Sequence, residues 1–362
     1  MAKLSNILTA RSSQGPSDNF KNIIINGDMQ VAQRSTSVAS ITTSGYYTVD
    51  RFGLVNSSLG TWTMSQENDA PTGSGFRKSA KVLCTTADAS PAATDWFVFL
   101  QRIEGQNLQQ IAKGTSSAKQ LTVSFWVKAN VTGTYVVELR DNDNSRSVCG
   151  TYTISASATW EKKTITFPAD TTGAFDNDNA SSLLLIHWLA AGSNFTSGSL
   201  ATSWGTTTEA NLAPGQINLA SATSNYWQVT GVQLEVGDTA TPFEFKPYAQ
   251  DLLECMRYLQ VWKDDNKAIY SGHYWSTTES MGTLNFKIPM RSAPTVTTSS
   301  STALKSFTGV GQTQRVSSSI SSDASSETAI DLIAITSATT AGYATFNRVN
   351  GAGAYIWMVS EL

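Results

Sequence analysis

The stretch NYWQVTGVQLEVGDTATPFEFKPY, residues 225–248, decides the fold. Trp227, Val229, Val232, Leu234 and Val236 alternate with polar residues, apart from a slip at Gly231, and the run stops at Gly237-Asp238. A period of two with one apolar face marks a strand laid on a core. Far upstream, NIIINGDMQVAQR at 22–34 is an apolar run, Ile23-Ile24-Ile25, closed by the turn pair Asn26-Gly27. The two segments read as the last and first strands of one large antiparallel β domain.

Between them, strand-like runs recur at 47–55, 60–64, 79–84, 96–103, 120–128, 134–140, 150–154, 160–167 and 183–189, separated by Gly, Asn, Asp and Ser clusters. In 121–127, Leu121, Val123, Phe125 and Val127 share one face, while Thr122, Ser124 and Trp126 share the other, which is therefore covered or used. Many short strands without helical alternation point to a sandwich or jelly roll. NLQQIAK at 107–113 fits one helical crossover. Residues 1–20 show no clear period and read as an arm. At 249–262, Leu252, Met256 and Leu259 fall at i, i+4, i+7 after Pro247, which predicts a helix with Cys255 as a packing thiol. Strands return at 268–275, 282–289, 303–307, 329–336, 342–347 and 354–360, with Ser-rich turns or loops at 297–302 and 317–326. The expected fold is all-β, two antiparallel jelly-roll-like sandwiches, 21–248 and 263–362, joined by one short helix.

Of 362 residues only 15% are charged, and the net charge is −3. No basic field is present to neutralise phosphate, which excludes nucleic acid as an expected partner. No apolar run approaches the ~20 residues that span a bilayer, and MAKLSNILTARSSQG lacks a signal-peptide core, so neither membrane insertion nor signal-peptide export is expected. Cys84, Cys149 and Cys255 are an odd, widely spaced set, read as buried free thiols rather than disulfides or zinc ligands.

His187 lies in the apolar run LLLIHWLAA and reads as a buried, hydrogen-bonded ring; His273, in GHYW, reads as exposed. Neither has a partner spacing that makes a triad or a zinc site. Asp141-Asn142-Asp143-Asn144-Ser145 and Asp176-Asn177-Asp178-Asn179 resemble the opening of a calcium loop, but an EF-hand register places Arg146 and Tyr152, or Ser181 and His187, at the sixth and twelfth positions. Asx-rich turns are the reading preferred, with calcium kept as the lesser alternative because a non-EF loop can draw oxygens from elsewhere. Glu67, Asp69, Asp95, Glu104, Glu138 and Glu161 are scattered, Glu104 and Glu235 look structural, and no catalytic pair asserts itself. The chain is not expected to be an enzyme.

Ten tryptophans are the stronger signal, because indole faces stack on the C–H faces of sugars while amides and hydroxyls meet their hydroxyl groups. Trp126, Trp160, Trp227 and Trp357 sit in strand patterns and are assigned to packing. Trp204, in the loop NFTSGSLATSWGTTTEAN, and Tyr274-Trp275, in a polar turn, are the candidates for exposed glycan contacts or, alternatively, subunit contacts.

NIIINGDMQVAQRS, YYTVDRF, FLQRIEGQNLQQIAKGT, LTVSFWVKA, WEKKTITFPAD and above all YWQVTGVQLEVGDTATPFEFKPYAQDLLECMRYLQ resemble a module of phage tail-fibre and related virion proteins. LNFKIPMRSAPTV and the terminal strand ending in Glu361-Leu362 resemble the domain that follows it. The module is similar in turn to galactose-binding-like, carbohydrate-binding jelly rolls, which hold a structural calcium between their first and last strands. Here Gln30 replaces the glutamate of that pattern and Thr230-Gly231 the acidic pair, so no cofactor is expected and a chelator should leave the melting temperature unchanged. The resemblance implies a virion protein of the tail or fibre, made in the host cytoplasm and trimeric. It implies docking to other virion proteins through residues 1–20 and binding of host-surface glycan without catalysis. A capsid decoration or adaptor protein is the alternative.

Overall fold

The computed structural model describes residues 21–263, 267–308 and 313–362. The expected arm, 1–20, lies outside the described residues. The all-β expectation holds. The first sandwich comprises β1 (Ser37–Ile41), β2 (Phe52–Ser57), β3 (Thr61–Glu67), β4 (Ser79–Thr86), β5 (Trp96–Glu104), β6 (Leu121–Ala129), β7 (Gly133–Asp141), β8 (Arg146–Ile154), β9 (Glu161–Phe167), β10 (Ser181–Ala191), β11 (Gly205–Thr206) and β12 (Tyr226–Val236). One sheet runs β1-β3-β4-β12-β6-β9 and the other β11-β8-β7-β10-β5-β2. Neighbours far apart in sequence, such as β4 beside β12, are what a jelly roll requires.

The alternation read from the sequence is the packing. Trp227, Val229, Phe125 and Val127 point inward and meet Phe97, Phe99 and Leu185 from the facing sheet. Trp62 stacks on Phe97 with centroids 3.9 Å apart. The two-residue phase survives Gly231 because the register shifts between Thr230 and Gln233, a bulge that returns Val232 and Leu234 to the core. Gly231 has φ +63°, and a Cβ there would lie 2.4 Å from Cζ of Phe76, so position 231 must be glycine.

NIIINGDMQ does not form a strand. It runs irregularly beside β12, tied by Ile23 N–H to Leu234 O at 2.9 Å and Val232 N–H to Gly27 O at 2.9 Å. The reason is the tight turn after Ile25. Asn26 adopts φ 59°, and its amide bridges Val31 O and Asp50 O at 2.9 Å each. A Cβ on Gly27 would sit 2.1 Å from Val232 O.

The predicted helix is shorter than expected. It spans Tyr248–Met256, here α2, after a one-turn α1 at Ser193–Thr196. Leu259, expected on the helix, starts β13 (Leu259–Lys263), whose β-branched and aromatic residues pair with a distant strand, Leu259 opposite Val359. That long-range ladder overrides the local helical period. The crossover at 107–113 is two 3₁₀ turns, Gly105–Asn107 and Gln109–Ile111, with Leu108 and Ile111 buried as expected.

Next come β14 (Tyr270–Tyr274), β15 (Glu279–Asn285), β16 (Thr295–Thr298), β17 (Leu304–Thr308), β18 (Thr313–Val316), β19 (Ser319–Ser325), β20 (Ala329–Ile335), β21 (Ala344–Val349) and β22 (Tyr355–Val359). They form a three-stranded sheet, β13-β22-β16, and a seven-stranded one, β18-β17-β21-β14-β15-β20-β19. Tyr270, Leu284, Leu304, Leu332, Ile356 and Met358 make their common core. Ser319–Ser325, expected as part of a loop, is an edge strand: its serines carry little strand preference, and pairing with β20 supplies the order. Thr297 and Thr298, also expected in a loop, close β16.

The two sandwiches are tied by charge. Glu361 takes Arg51 and Arg34, the latter at 3.2 Å, and the Arg51 guanidinium lies 3.3 Å from the Tyr258 ring centroid. Arg257 donates Nε and Nη2 to Glu104 at 2.9 and 2.8 Å. Burial would raise the Glu104 carboxyl, but the Arg257 and Tyr258 hydrogen bonds and the Arg257 charge outweigh it and hold the carboxyl below its ordinary range.

Asp251, buried on α2, is pushed up to about 7, chiefly by burial and then by Asp28, against the pull of Lys246. Its folded value exceeds its unfolded one, so the stability it lends is full below the ordinary carboxylate range and is lost as pH rises to about 7. Asp251→Asn removes that dependence. The variant should melt several degrees above the wild type beyond about pH 7 and level with it near pH 4. Thermal scans across that range check this; an offset independent of pH contradicts it.

Candidate functional site

Of the three aromatic residues singled out, one is exposed and two are not. Trp275 is 68% exposed, whereas Tyr274 is fully buried with its hydroxyl 2.9 Å from Thr336 Oγ1. They differ by strand parity: β14 turns Tyr270 and Tyr274 inward, and Trp275 leaves the strand at the turn. Trp204 is not exposed either. It is half-buried, with its indole N–H on Pro168 O at 2.9 Å and its ring 5.2 Å from the Lys113 ammonium.

Trp275 stands over a cleft of about 270 Å³ on the outer face of the seven-stranded sheet, lined also by Glu279, Met281, Asp323 and Ile333. The cross-strand register builds the floor: His273 faces Met281, Met281 faces Ile333, and Ile333 faces Ser321. Met281 and Ile333 are half-buried and apolar. The turn is fixed by Trp275 N–H to Glu279 O at 2.8 Å and by Ser276 Oγ accepting from the N–H groups of Thr278 and Glu279. His273 is exposed, its ring 6.4 Å from the indole. The result is an apolar wall and floor rimmed by two carboxylates. That combination suits a ligand with one C–H face and several hydroxyls.

Sequence reading missed Glu279, Met281, Asp323 and Ile333. Glu279 was within reach, four residues past the tryptophan across a polar turn; Asp323 was not, because its strand is made by pairing. Trp126 and Trp160, assigned to packing, are half-buried on the outer face of the first sandwich. There Trp160 donates to Asp69 at 3.3 Å, and Trp126 faces Thr230 and Lys162.

His187 is fully buried, but both ring nitrogens lack a hydrogen-bond partner, contrary to the sequence expectation. It sits among Phe125, Trp227 and Phe99, and burial pushes its pKa down to about 3, leaving a neutral, packed ring. The three cysteines are free and buried.

The Asx-rich loop at 141–145 packs around the chain's own Lys113 ammonium. Lys113 Nζ lies 2.5 Å from Asp141, 3.0 Å from Asp170 and within 3.0 and 2.7 Å of the carbonyls of Thr172 and Gly173. Phe175 and Trp204 close over it. Burial would raise Asp170, yet the Arg146 and Lys113 hydrogen bonds lower it. Between the first segment and β12, Thr230 Oγ1 donates to Asp28 O at 3.4 Å, and the Gln66 amide donates to the carbonyls of Met29 and Gln30. Among the described residues no three His, Cys, Asp or Glu side chains gather as a metal site.

Comparison with protein families finds no match, and comparison with curated proteins finds none. Among solved structures, the enzymatically active domain of a bacteriophage CBA120 tailspike protein is similar over 60% of this chain and 21% of that one, at 14% identity and TM-score 0.32. A family 11 carbohydrate-binding module of Clostridium thermocellum, in complex with a mixed-linked tetrasaccharide, matches over 57% of this chain and 98% of its own, at 11% identity and TM-score 0.29. The tandem family 22 modules of a Paenibacillus barcinonensis protein cover 96% of this chain and 100% of theirs, at 9% identity and TM-score 0.29. The fold stands on the strand order above and not on these likenesses.

Proposed function

We propose that this chain is a phage virion protein of the tail or fibre that binds host-surface glycan, without catalysis, in the Trp275 cleft. The observation that carries the reading is a largely exposed indole over an apolar floor with carboxylates at the rim. A sugar would lay its C–H face on Trp275, Met281 and Ile333 and give its hydroxyls to Glu279 and Asp323. One such cleft binds weakly. Assembly as a homotrimer, with the 1–20 arm docked on other virion proteins, would multiply it into firm attachment.

Trp275→Ala should lower binding to host polysaccharide about tenfold or more and leave the melting temperature unchanged, since the indole contributes little to the core. Unaltered binding by the folded variant contradicts the site. Glu279 and Asp323 facing one cleft also favour a second reading, a glycan depolymerase. New reducing ends on incubation with host polysaccharide, lost in Glu279→Gln, would establish it. Imaging that finds the chain spread over a capsid lattice would replace the tail reading with a decoration protein.

A further inference from the structure

A second cleft, of about 630 Å³, opens where the first sandwich meets α2, between the end of β5, the 3₁₀ turns and the irregular first segment. Its walls carry Arg102, Asn107, Gln110, Glu254 and Arg257 over a floor of isoleucines. The volume lies within the range of small-molecule sites.

The charges in it are unequal. Arg257 is neutralised by Glu104, and Glu254 by Lys246 at 2.8 Å. Arg102 has no carboxylate within ion-pair distance among the described residues; its Nη1 donates to Tyr46 Oη at 3.2 Å, and Tyr46 Oη donates to Leu362 O at 3.2 Å. The guanidinium is thus aimed by a neutral hydroxyl that is itself held in place. Asn107 and Gln110 are exposed and make no side-chain hydrogen bond among the described residues, whereas the Gln106 amide donates to Glu104 at 2.5 Å, so two neutral amides stand ready beside one cation without an ion-pair partner.

We propose that this cleft binds a carboxylate-bearing saccharide, with Arg102 reading the carboxylate and Asn107 and Gln110 the hydroxyls. A planar guanidinium matches a carboxylate in a two-point fork. A single excess charge suits one carboxylate on a neutral, hydroxyl-rich skeleton, and the isoleucine floor accepts its C–H face. This site is separate from the Trp275 cleft and stands or falls independently of it.

The test titrates the full chain with galacturonate and with sialyllactose, each bearing a single carboxylate, and each beside its methyl ester, which removes the charge and keeps the skeleton. Binding of at least one acid, about tenfold tighter than its ester, is expected. Arg102→Gln should abolish that preference, while Trp275→Ala leaves it intact. The proposal is overturned if neither acid binds at low millimolar concentration, if acid and ester bind alike, or if Arg102→Gln, shown folded by its melting temperature, keeps the preference. Asn107→Ala with Gln110→Ala serves as a second variant, outside every ion pair. It should weaken acid and ester equally, and unchanged affinity would contradict the role given to the amides.

Discussion

Lys113→Met should lower the melting temperature by about 10 °C, on a loss of about 3–5 kcal/mol. The substitution keeps the length and the apolar stem and deletes only the ammonium. What remains is Asp141, whose side chain is fully buried, with Asn144 as its nearest hydrogen-bond donor, together with two carbonyls that have lost their partner. Asp170 fares better because Arg146 still donates to both its oxygens, at 2.8 and 2.9 Å. Leaving one buried charge unpaired is far costlier than deleting a whole pair. The double variant Lys113→Met with Asp141→Asn should therefore recover a substantial part of the loss, a coupling that a mutant cycle measures. Circular dichroism melts of the four proteins decide it. A single variant that melts like the wild type, or a double variant worse than the sum of its singles, contradicts the cage.

Glu361→Gln should be of similar size, about 3–5 kcal/mol, but it should act on the join between the sandwiches rather than on either core. Arg51 is 1% exposed, and without the carboxylate it keeps only Arg102 O, at 2.8 Å, and the face of Tyr258. Arg51 Nε and Arg34 Nη1 already lack partners, so the network has no reserve. The expected result is a thermal transition split in two, with faster proteolytic release of the second sandwich. Replacing both members, Arg51→Met with Glu361→Leu, should restore one transition, since a well-packed apolar pair substitutes for a buried ionic one. A single unshifted transition in Glu361→Gln would show that the sandwiches are held by other contacts.

Much of this molecule follows from residue order alone. Alternation in 121–127 and 227–234 put the right side chains in the core, while Val236 at the strand's end is exposed, because a strand's period of two is a local property and burial follows parity. The Gly231 slip was visible too, and only a bulge reconciles it with continued alternation. Local pattern also located Trp275, a tryptophan in a polar turn that no core was waiting to cover.

The tertiary structure decided the rest, for one physical reason: pairing and burial are set by partners distant in sequence. Leu259 and the Ser319–Ser325 run became strands because β22 and β20 offered ladders. Tyr274 and Trp275, adjacent and alike in sequence, parted because one ring faced a core and the other the solvent. The same applies to the sites. Asp323 comes to line one cleft with Trp275, and Arg102 another with Asn107 and Gln110, only once the sheets and their connections are folded.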